Sequence, residues 1–367
     1  MKSLAQLGNE LYSGNTSFPF VGRRRLWYAI AGAAVLASII LIGTVGLTPG
    51  IDFRGGSEIT VTALAKPDVA PANAVLAEEG LASGASVSTV GSSSVRVQTN
   101  ELTNEQLNGV SAALADAYGV ADADVSATTI GPTWSSDVTN KGIRGLVIFF
   151  VLVGALIWAY FRTWKMAAAA LLALVHDILI TVGVYAASGF EVTPATIIGV
   201  LTILGYSLYD TVVVFDKVRE NTSGYETQNR STYGELANLA VNQSLIRSIN
   251  TSVVGVLPVA SLLVVGAFIL GAGTLRDIAL TLFIGMIAGT VSSLFLATPL
   301  LVDLRSREAV VKEQAARVAM VRDERIAAAG DDPEALAAVA AAPAAAPVIP
   351  GHHRGVSAQP KRKRKRS

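Results

Sequence analysis

Six long apolar runs, separated by polar segments, dominate the pattern of this chain. A bilayer core about 30 Å thick requires roughly 20 apolar residues in a helix, and each run meets that length. The pattern therefore predicts a polytopic α-helical membrane protein with six transmembrane helices. The predicted spans cover residues 26–47, 142–161, 166–188, 194–215, 249–270 and 277–299.

The first apolar run follows the basic triplet Arg23–Arg25, an order that signal peptides share. A signal peptide has an apolar core of about 7–15 residues and ends at a small-residue cleavage site. This run is longer and no such site closes it. We therefore expect a retained membrane anchor.

The segment between the first two runs, residues 48–140, has the shorter periodicities of strands and amphipathic helices. Thr103 and Gln106 have the spacing of a capping box, which predicts the start of a helix. The predicted strands are 58–62, 85–90, 94–99 and 124–130, and the predicted helices are 68–81 and 104–118. Their order, βαββαβ, is that of a ferredoxin-like α+β domain between the first two spans.

Composition agrees with a chain largely dissolved in lipid, because charged residues are 16% of the sequence and the mean hydropathy is +0.49. The net charge of +1 conceals unlike segments. Residues 48–140 carry three basic and eleven acidic side chains, whereas residues 303–367 carry thirteen basic and eight acidic ones. The chain has no cysteine, which excludes disulfides and thiol catalysis, and residues 48–140 hold no catalytic constellation. We therefore expect neither an enzyme nor a bound cofactor.

Lysine and arginine residues near the span ends are distributed unequally, and an excess of them marks the cytoplasmic face of a membrane protein. One face receives Arg23–Arg25, Arg162, Lys165, Lys217, Arg219, Arg230, Arg305 and Arg307, whereas the other receives Lys141, Arg144 and Arg276. The bias predicts that both termini are cytoplasmic and that the α+β domain is exported. The predicted cytoplasmic segments are residues 1–25, the loop 216–248 and the tail 303–367.

The tail has three parts of different composition. Residues 307–329 are typical of a charged helix, and residues 335–350 are rich in alanine and proline. Residues 361–366 are six consecutive basic side chains, a block that suits anionic lipid or ribosomal RNA. A disordered, solvated end accounts equally for this composition.

Asp210 is the most prominent ionisable residue within the predicted spans. A charge inside a transmembrane helix costs about 2.5–3.5 kcal/mol on insertion scales, so it requires a partner or a function. Thr202, Tyr206 and Asp210 recur every four residues, with Ser207 beside them, and this polar stripe should face other helices. A carboxyl group removed from water can exist in both protonation states near neutral pH, as a proton carrier must. The alternative is a structural aspartate held by hydrogen bonds between helices.

For each of two further charged sites, the sequence allows two interpretations. Arg247 precedes the fifth span, and its permanently protonated guanidinium is either a counter-charge to Asp210 or an anchor at the membrane surface. His176 and Asp177 lie in the middle of the third span, as part of a proton relay or as a polar clamp between helices.

Small residues predict a close helix contact in the sixth span. Gly285 and Gly289 form a GxxxG motif, and Ser293 continues the same spacing. One face of this helix is therefore expected to be nearly flat, so that a neighbouring backbone can approach it.

Three motifs share their residues and spacing with a known family. Residues 50–56 read Gly-Ile-Asp-Phe-Arg-Gly-Gly, residues 176–177 read His-Asp, and residues 205–221 begin Gly-Tyr-Ser-Leu-Tyr-Asp-Thr. They resemble the G-x-D-F-x-G-G signature, the H-D element and the G-Y-S-L-N-D-T stretch of the SecF family of bacterial protein-export subunits. The signature residues are Gly50, Asp52, Phe53, Gly55, Gly56, Ser207 and Asp216. Tyr209 replaces the family's usual Asn, and Lys217 its usual Arg.

The resemblance implies that the protein acts with SecD beside the Sec channel in a bacterial plasma membrane, using the proton-motive force to promote late translocation of exported proteins. It matches Asp210 and Arg247 to the family's proton-conducting positions, and we expect His176, Asp177 and Tyr206 to belong to the same relay. The implied partners are SecD, the SecYEG channel, YajC, the unfolded exported polypeptide and membrane lipid.

Two other functions remain open at this point. One is a half-unit of a proton-driven small-molecule exporter of the resistance-nodulation-division type, which normally has twelve spans and two exported inserts in one chain. The other is a scaffold that braces the Sec channel without conducting protons. The first predicts drug transport without SecD, and the second predicts that replacing Asp210 has no effect.

Overall fold

A computed structural model describes residues 4–14, 16–266, 273–330 and 332 of the chain. Six helices in this part are long and apolar enough to cross a membrane, which confirms the predicted number and order of spans. They are α2 (Arg24–Thr44), α6 (Pro132–Phe161), α7 (Trp164–Ser188), α8 (Pro194–Asn221), α9 (Tyr233–Val264) and α10 (Gly273–Ser292). A π-helical turn, Ser293–Ala297, joins α10 to α11 (Thr298–Arg305).

Several helices are longer than the predicted spans because their polar ends continue the helix beyond the apolar run. Helix α6 begins at Pro132, well before residue 142. Most of the segment 216–248 is helical, since α8 continues to Asn221 and α9 begins at Tyr233 after a capping box of Thr232 and Glu235. Apolar length locates a span, but caps fix where its helix starts. Residues 267–270 of the fifth predicted span lie outside the described residues.

A small α+β domain lies between α2 and α6. Its strands are β2 (Gly56–Val61), β3 (Ser86–Val90), β4 (Ser94–Thr99) and β5 (Val125–Ile130), and its helices are α4 (Ala70–Glu78) and α5 (Asn104–Tyr118). The strands form one antiparallel sheet in the order β3-β4-β2-β5. Ile59 lies opposite Val97, and both are buried beneath the two helices with Leu76 and Leu114. Helix α5 begins with the predicted capping box of Thr103 and Gln106.

A short junction connects this α+β domain to the helical bundle. Strand β1 (Thr48–Pro49) pairs in parallel with β6 (Glu191–Val192), which lies between α7 and α8. A single helical turn, α3 (Ile51–Arg54), follows and leads into β2. Neither two-residue strand has a pattern of its own, so the sequence did not predict this pairing.

Helices α7, α8 and α10 form the centre of the bundle, whereas α2, α6 and α9 surround them with mostly exposed apolar side chains. The GxxxG motif faces α8, as the flat-face prediction requires. A Cβ atom added at Gly289 would lie 2.7 Å from the Cβ of Ser207, and one added at Gly285 would overlap the side chain of Ile203. Only glycine allows this separation of α8 and α10.

Two terminal helices lie against the bundle at the end opposite the α+β domain. Helix α1 (Leu4–Ser13) packs on α9, where the side-chain oxygen of Asn242 accepts a hydrogen bond from the backbone N–H of Phe18 at 2.7 Å. Helix α12 (Ala309–Ala329) buries Gln314, which donates to the carbonyl of Ser231 at 2.8 Å. The predicted tail segments 335–350 and 361–366 lie outside the described residues.

Candidate functional site

Asp177 lies at the centre of the bundle, where α7, α8 and α10 meet, and it is fully buried. Its Oδ2 atom accepts hydrogen bonds from the hydroxyl groups of Ser207 at 2.6 Å and Ser292 at 2.9 Å. Its Oδ1 atom lies 3.1 Å from Nδ1 of His176. Each oxygen therefore has a partner, and the carboxyl group ties three helices together.

Asp210 has a different environment at the contact of α8 with α9. Its side chain is buried, and its Oδ1 atom accepts a hydrogen bond from the hydroxyl of Ser248 at 2.7 Å. Its Oδ2 atom is also buried but has no hydrogen-bond partner among the described residues. A buried acceptor without a partner is costly, so this oxygen requires a physical explanation, and a functional role is one of them.

The two carboxyl groups belong to one row of polar side chains, which we call the polar seam: Asp177, Ser292, Ser207, Asp210 and Ser248. Ser207 and Asp210 are three residues apart on α8, so both lie on the same face of that helix. Ser207 is the residue against which Gly289 packs. The close approach of α8 and α10 is thus what brings Ser292 within reach of the same carboxyl oxygen as Ser207.

Tyr206 and Arg247 lie beside the seam rather than in it. The hydroxyl of Tyr206 donates to the carbonyl of Thr251 on α9 at 3.2 Å. Arg247 is exposed, and its Nη2 atom lies 3.5 Å from the hydroxyl of Tyr209. The ion pairs found among the described residues do not include Arg247 with Asp210. The phenol of Tyr209, at the position where the family usually has an amide, is thus a hydrogen-bond partner of the guanidinium.

The side chain of His176 contacts both a polar group and an apolar cavity. One ring nitrogen faces Asp177, and the ring also lines an apolar cavity of about 300 Å³ between α2, α7 and α10. The geometry of Asp177 is that of the polar clamp, and the position of His176 leaves a relay role open.

The sequence analysis missed three hydroxyl and carboxyl groups of this region. Ser248 and Ser292 are small residues, and the one signal for Ser292 was its place directly before the small residue Ser293. Asp277, at the other end of α10, is buried and accepts hydrogen bonds from Arg276 at 3.1 Å and Thr193 at 3.2 Å. This third carboxylate is neutralised by its neighbour in the chain.

The G-x-D-F-x-G-G motif forms the junction rather than the seam. Gly50 donates its N–H to Val192 at 2.9 Å, and Phe53 continues the single turn of α3 by bonding to Gly50 at 3.0 Å. Gly55 and Gly56 adopt φ angles of 76° and 131°, and a Cβ atom on Gly56 would overlap the carbonyl oxygen of Thr99. Both glycines are therefore required by the backbone.

Charged side chains reinforce this junction. Burial raises the pKa of the Asp52 carboxyl, and the nearby charge of Glu191 raises it further. Glu191 in turn accepts from Arg96 at 3.3 Å and Gln98 at 3.0 Å, both on β4 of the α+β domain. These bonds hold the domain to the loop between α7 and α8.

Asp216 lies near the C-terminal end of α8. It is exposed, and its carboxylate accepts a hydrogen bond from Tyr160 at 3.3 Å. Within the described ranges, no cluster of three or more acidic or histidine side chains could hold a metal ion.

The six membrane-capable helices and the buried carboxyl groups define a multi-pass membrane protein with ionisable residues inside its bundle. Sequence models of two families match the chain: "Protein export membrane protein SecD/SecF, C-terminal" over residues 110–307 and "SecD/SecF GG Motif" over residues 40–63. The protein translocase subunit SecF of Streptomyces coelicolor is 44% identical, over 92% of this chain and 90% of the relative. That of Mycobacterium tuberculosis strain H37Rv is 43% identical, over 88% and 75%. The chain belongs to the SecF family of protein-export membrane proteins.

Solved structures agree with this membership. A crystal structure of SecDF, a translocon-associated membrane protein from Thermus thermophilus, has a TM-score of 0.71 and 29% identity. The match covers 80% of this chain and 39% of that one. A structure of SecDF in a super-membrane-facing form has a TM-score of 0.56 and 28% identity, and the match covers 82% and 40%. This chain thus corresponds to about two fifths of the solved SecDF chains.

Proposed function

We propose that this protein works with SecD to complete the translocation of exported proteins, and that proton transfer at Asp210 drives the step. The observation that carries the proposal is the buried Oδ2 atom of Asp210, which has no partner in the described part of the chain. A proton added to this atom changes the charge of the site without first breaking a hydrogen bond. The membrane potential supplies about 2.3 kcal/mol per charge for each 100 mV.

Protonation of Asp210 should change the packing of the helices that meet along the polar seam. A protonated Asp210 no longer attracts the positive charge of nearby Arg247 and binds Ser248 less strongly, which loosens α8 from α9. Ser207 on α8 is held to Asp177 and packed against Gly289, so α8 moves together with α7 and α10. His176 and Tyr206 lie beside the polar seam, along the proposed route of the proton.

The α+β domain then follows the bundle through its junction. We propose that the domain is ferredoxin-like and exported, that both termini are cytoplasmic and that the membrane is the bacterial plasma membrane. The strand order β3-β4-β2-β5 and the element order βαββαβ support the first point. The pairing of β1 with β6 and the bond of Arg96 to Glu191 connect the domain to α7 and α8.

The exposed side chains near Asp210 support contact with SecD. Thr202, Tyr209, Arg247 and Asn250 are all exposed on α8 and α9 at the depth of the spans. Polar groups facing lipid are costly, so a second protein surface is the better partner. SecYEG, YajC, the unfolded exported polypeptide and membrane lipid complete the proposed assembly. For the basic block 361–366 we propose contact with anionic lipid or the ribosome.

Asp210→Asn in vesicles that contain the full Sec assembly tests the proposal. The amide keeps an acceptor for Ser248 but cannot carry a proton, so we expect proton-driven translocation to fall more than about tenfold. Asp137→Asn makes the same chemical change at an exposed site paired with Lys141 and should have no effect. Full proton-driven translocation in the Asp210→Asn vesicles would contradict the proposal and favour a scaffold.

A further inference from the structure

A polar cavity of about 320 Å³ lies where α6 ends and α7 begins, at the end of the bundle opposite the α+β domain. Thr163, Arg219, Tyr225 and Arg305 are among the residues that line it. It is separate from the polar seam, and the proposed proton path does not use it, although Arg219 belongs to the 205–221 motif stretch.

Two buried hydroxyl groups at this cavity have no partner among the described residues. Tyr225 is 5% exposed, and its hydroxyl makes no hydrogen bond to any residue that the structure describes. The hydroxyl of Thr163 is likewise buried and unpartnered, although Thr163 is the N-cap residue of α7 and would ordinarily accept a bond from the first turn. The N-terminus of this 25-residue helix therefore keeps its partial positive charge and its free N–H groups.

The charges around the cavity favour an anion. Arg219 is exposed and donates one N–H to the carbonyl of Tyr160 at 3.3 Å. Arg305 stacks over the ring of Tyr233 at 4.9 Å and shares the carboxylate of Glu308 with Lys165. Thus two cations share one anion.

One acidic side chain opposes this excess. Glu226 also lines the cavity, and its side chain is exposed to solvent. With Arg219, Arg305 and Lys165 set against Glu226 and Glu308, the surroundings keep one net positive charge.

We propose that this cavity binds a phosphate group, with hydrogen bonds from Arg219, Arg305, the two hydroxyls and the first turn of α7. Guanidinium groups match the geometry of phosphate oxygens, and helix N-termini bind them without further charge. Trp158, Tyr160 and Trp164 are exposed around the same helix ends, as aromatic residues are at the level of lipid headgroups. A phospholipid headgroup is therefore the favoured source of the phosphate over the free ion.

Native mass spectrometry of the full chain, stripped of lipid in detergent, tests the site. The probes are dioleoylphosphatidylglycerol, dioleoylglycerol (which lacks the phosphate) and inorganic phosphate. We expect the phospholipid to bind and dioleoylglycerol not to bind. Arg219→Gln should weaken phospholipid binding about tenfold, because one charge-assisted hydrogen bond is lost. Tyr225→Phe removes only a hydroxyl without a partner, so the fold is kept, and should weaken binding about threefold.

Arg307→Gln is the matched control, since Arg307 is exposed nearby but does not line the cavity. It should leave the affinity unchanged. Competition by inorganic phosphate would support the same chemistry with the free ion as a second source. Equal binding of dioleoylglycerol, or an equal loss in Arg219→Gln and Arg307→Gln, would overturn the proposal.

Discussion

Asp177 and Asp210 are two buried aspartates on neighbouring helices of one bundle, yet their surroundings differ. Asp177 contacts two serine hydroxyls and an imidazole, so both of its oxygens have a partner. Asp210 accepts one hydrogen bond, from Ser248, and its second oxygen has no hydrogen-bond partner in the described residues. A carboxyl group with satisfied oxygens fixes a structure, whereas one with a spare oxygen can change its protonation without dismantling its surroundings.

This contrast bears on the roles that the sequence left open at both positions. The contacts of Asp177 are those expected of the polar clamp, and Asp210 is the position that we propose as the proton carrier. If the two sites differ in this way, substitutions at them should have unequal effects on stability.

Truncating each of the two aspartates to alanine, which removes the carboxyl group, should give unequal losses of stability. Asp177→Ala removes the carboxyl group that Ser207, Ser292 and His176 share in a buried site, and among these Ser292 retains the carbonyl of Gly289 as an acceptor, so we expect a loss of about 3 kcal/mol. Asp210→Ala removes one hydrogen bond and should cost about 1 kcal/mol. Thermal unfolding of the purified proteins measures both. Equal losses would show that the two sites do not differ as described.

The close packing of α8 against α10 should contribute to stability, because it brings the hydrogen-bond partners of Asp177 together. Gly289→Ala places a Cβ atom 2.7 Å from the Cβ of Ser207, so the helices must separate, at a cost of about 2 kcal/mol. Gly205→Ala on α8 is the control, because nothing lies within 4 Å of its added Cβ. A Gly289→Ala protein as stable as Gly205→Ala would contradict the close contact that supports the seam.

Glu308, a carboxylate outside the spans, forms ion pairs with two cations. Its replacement should have the smallest effect on stability of the three. Burial opposes ionisation of Glu308, but hydrogen bonds from Lys165 and Arg305 outweigh it and hold the pKa of this carboxyl below its ordinary value of 4.5. Because the pKa of Glu308 is lower in the folded protein than in the unfolded chain, its ionised form stabilises the fold above about pH 4.5. This contribution is lost as the pH falls through the folded-state pKa.

Glu308→Gln should therefore cost about 1 kcal/mol at pH 7, and the difference from wild type should shrink below about pH 4.5. Thermal melts across this pH range measure it. Glu313→Gln, an exposed change in α12, is the control and should show no such dependence. A pH-independent cost of Glu308→Gln would mean that its ion pairs contribute nothing.

The sequence predicts much of this fold because its strongest signals are local. Apolar length located all six spans, and the capping box at Thr103 placed the start of α5. The partners of the carboxyl groups depend instead on how helices far apart in the chain meet. Ser248 and Ser292 reach Asp210 and Asp177 across 38 and 115 residues of sequence, which no periodicity reveals.

The position of Arg247 shows the same limit. Its place before the fifth span made it a candidate counter-charge to Asp210, and the contact of its guanidinium with the hydroxyl of Tyr209 on the exposed side of α8 was not predicted from the sequence. Which face of a helix turns outward is decided by packing against its neighbours.

The most direct test of the central claim is infrared difference spectroscopy of the protein in vesicles as the external pH is changed. We predict a protonated-carboxyl band that responds to pH in the wild type, persists in Asp177→Asn and disappears in Asp210→Asn. A band that persists in Asp210→Asn and disappears in Asp177→Asn would contradict the assignment of Asp210 as the proton carrier.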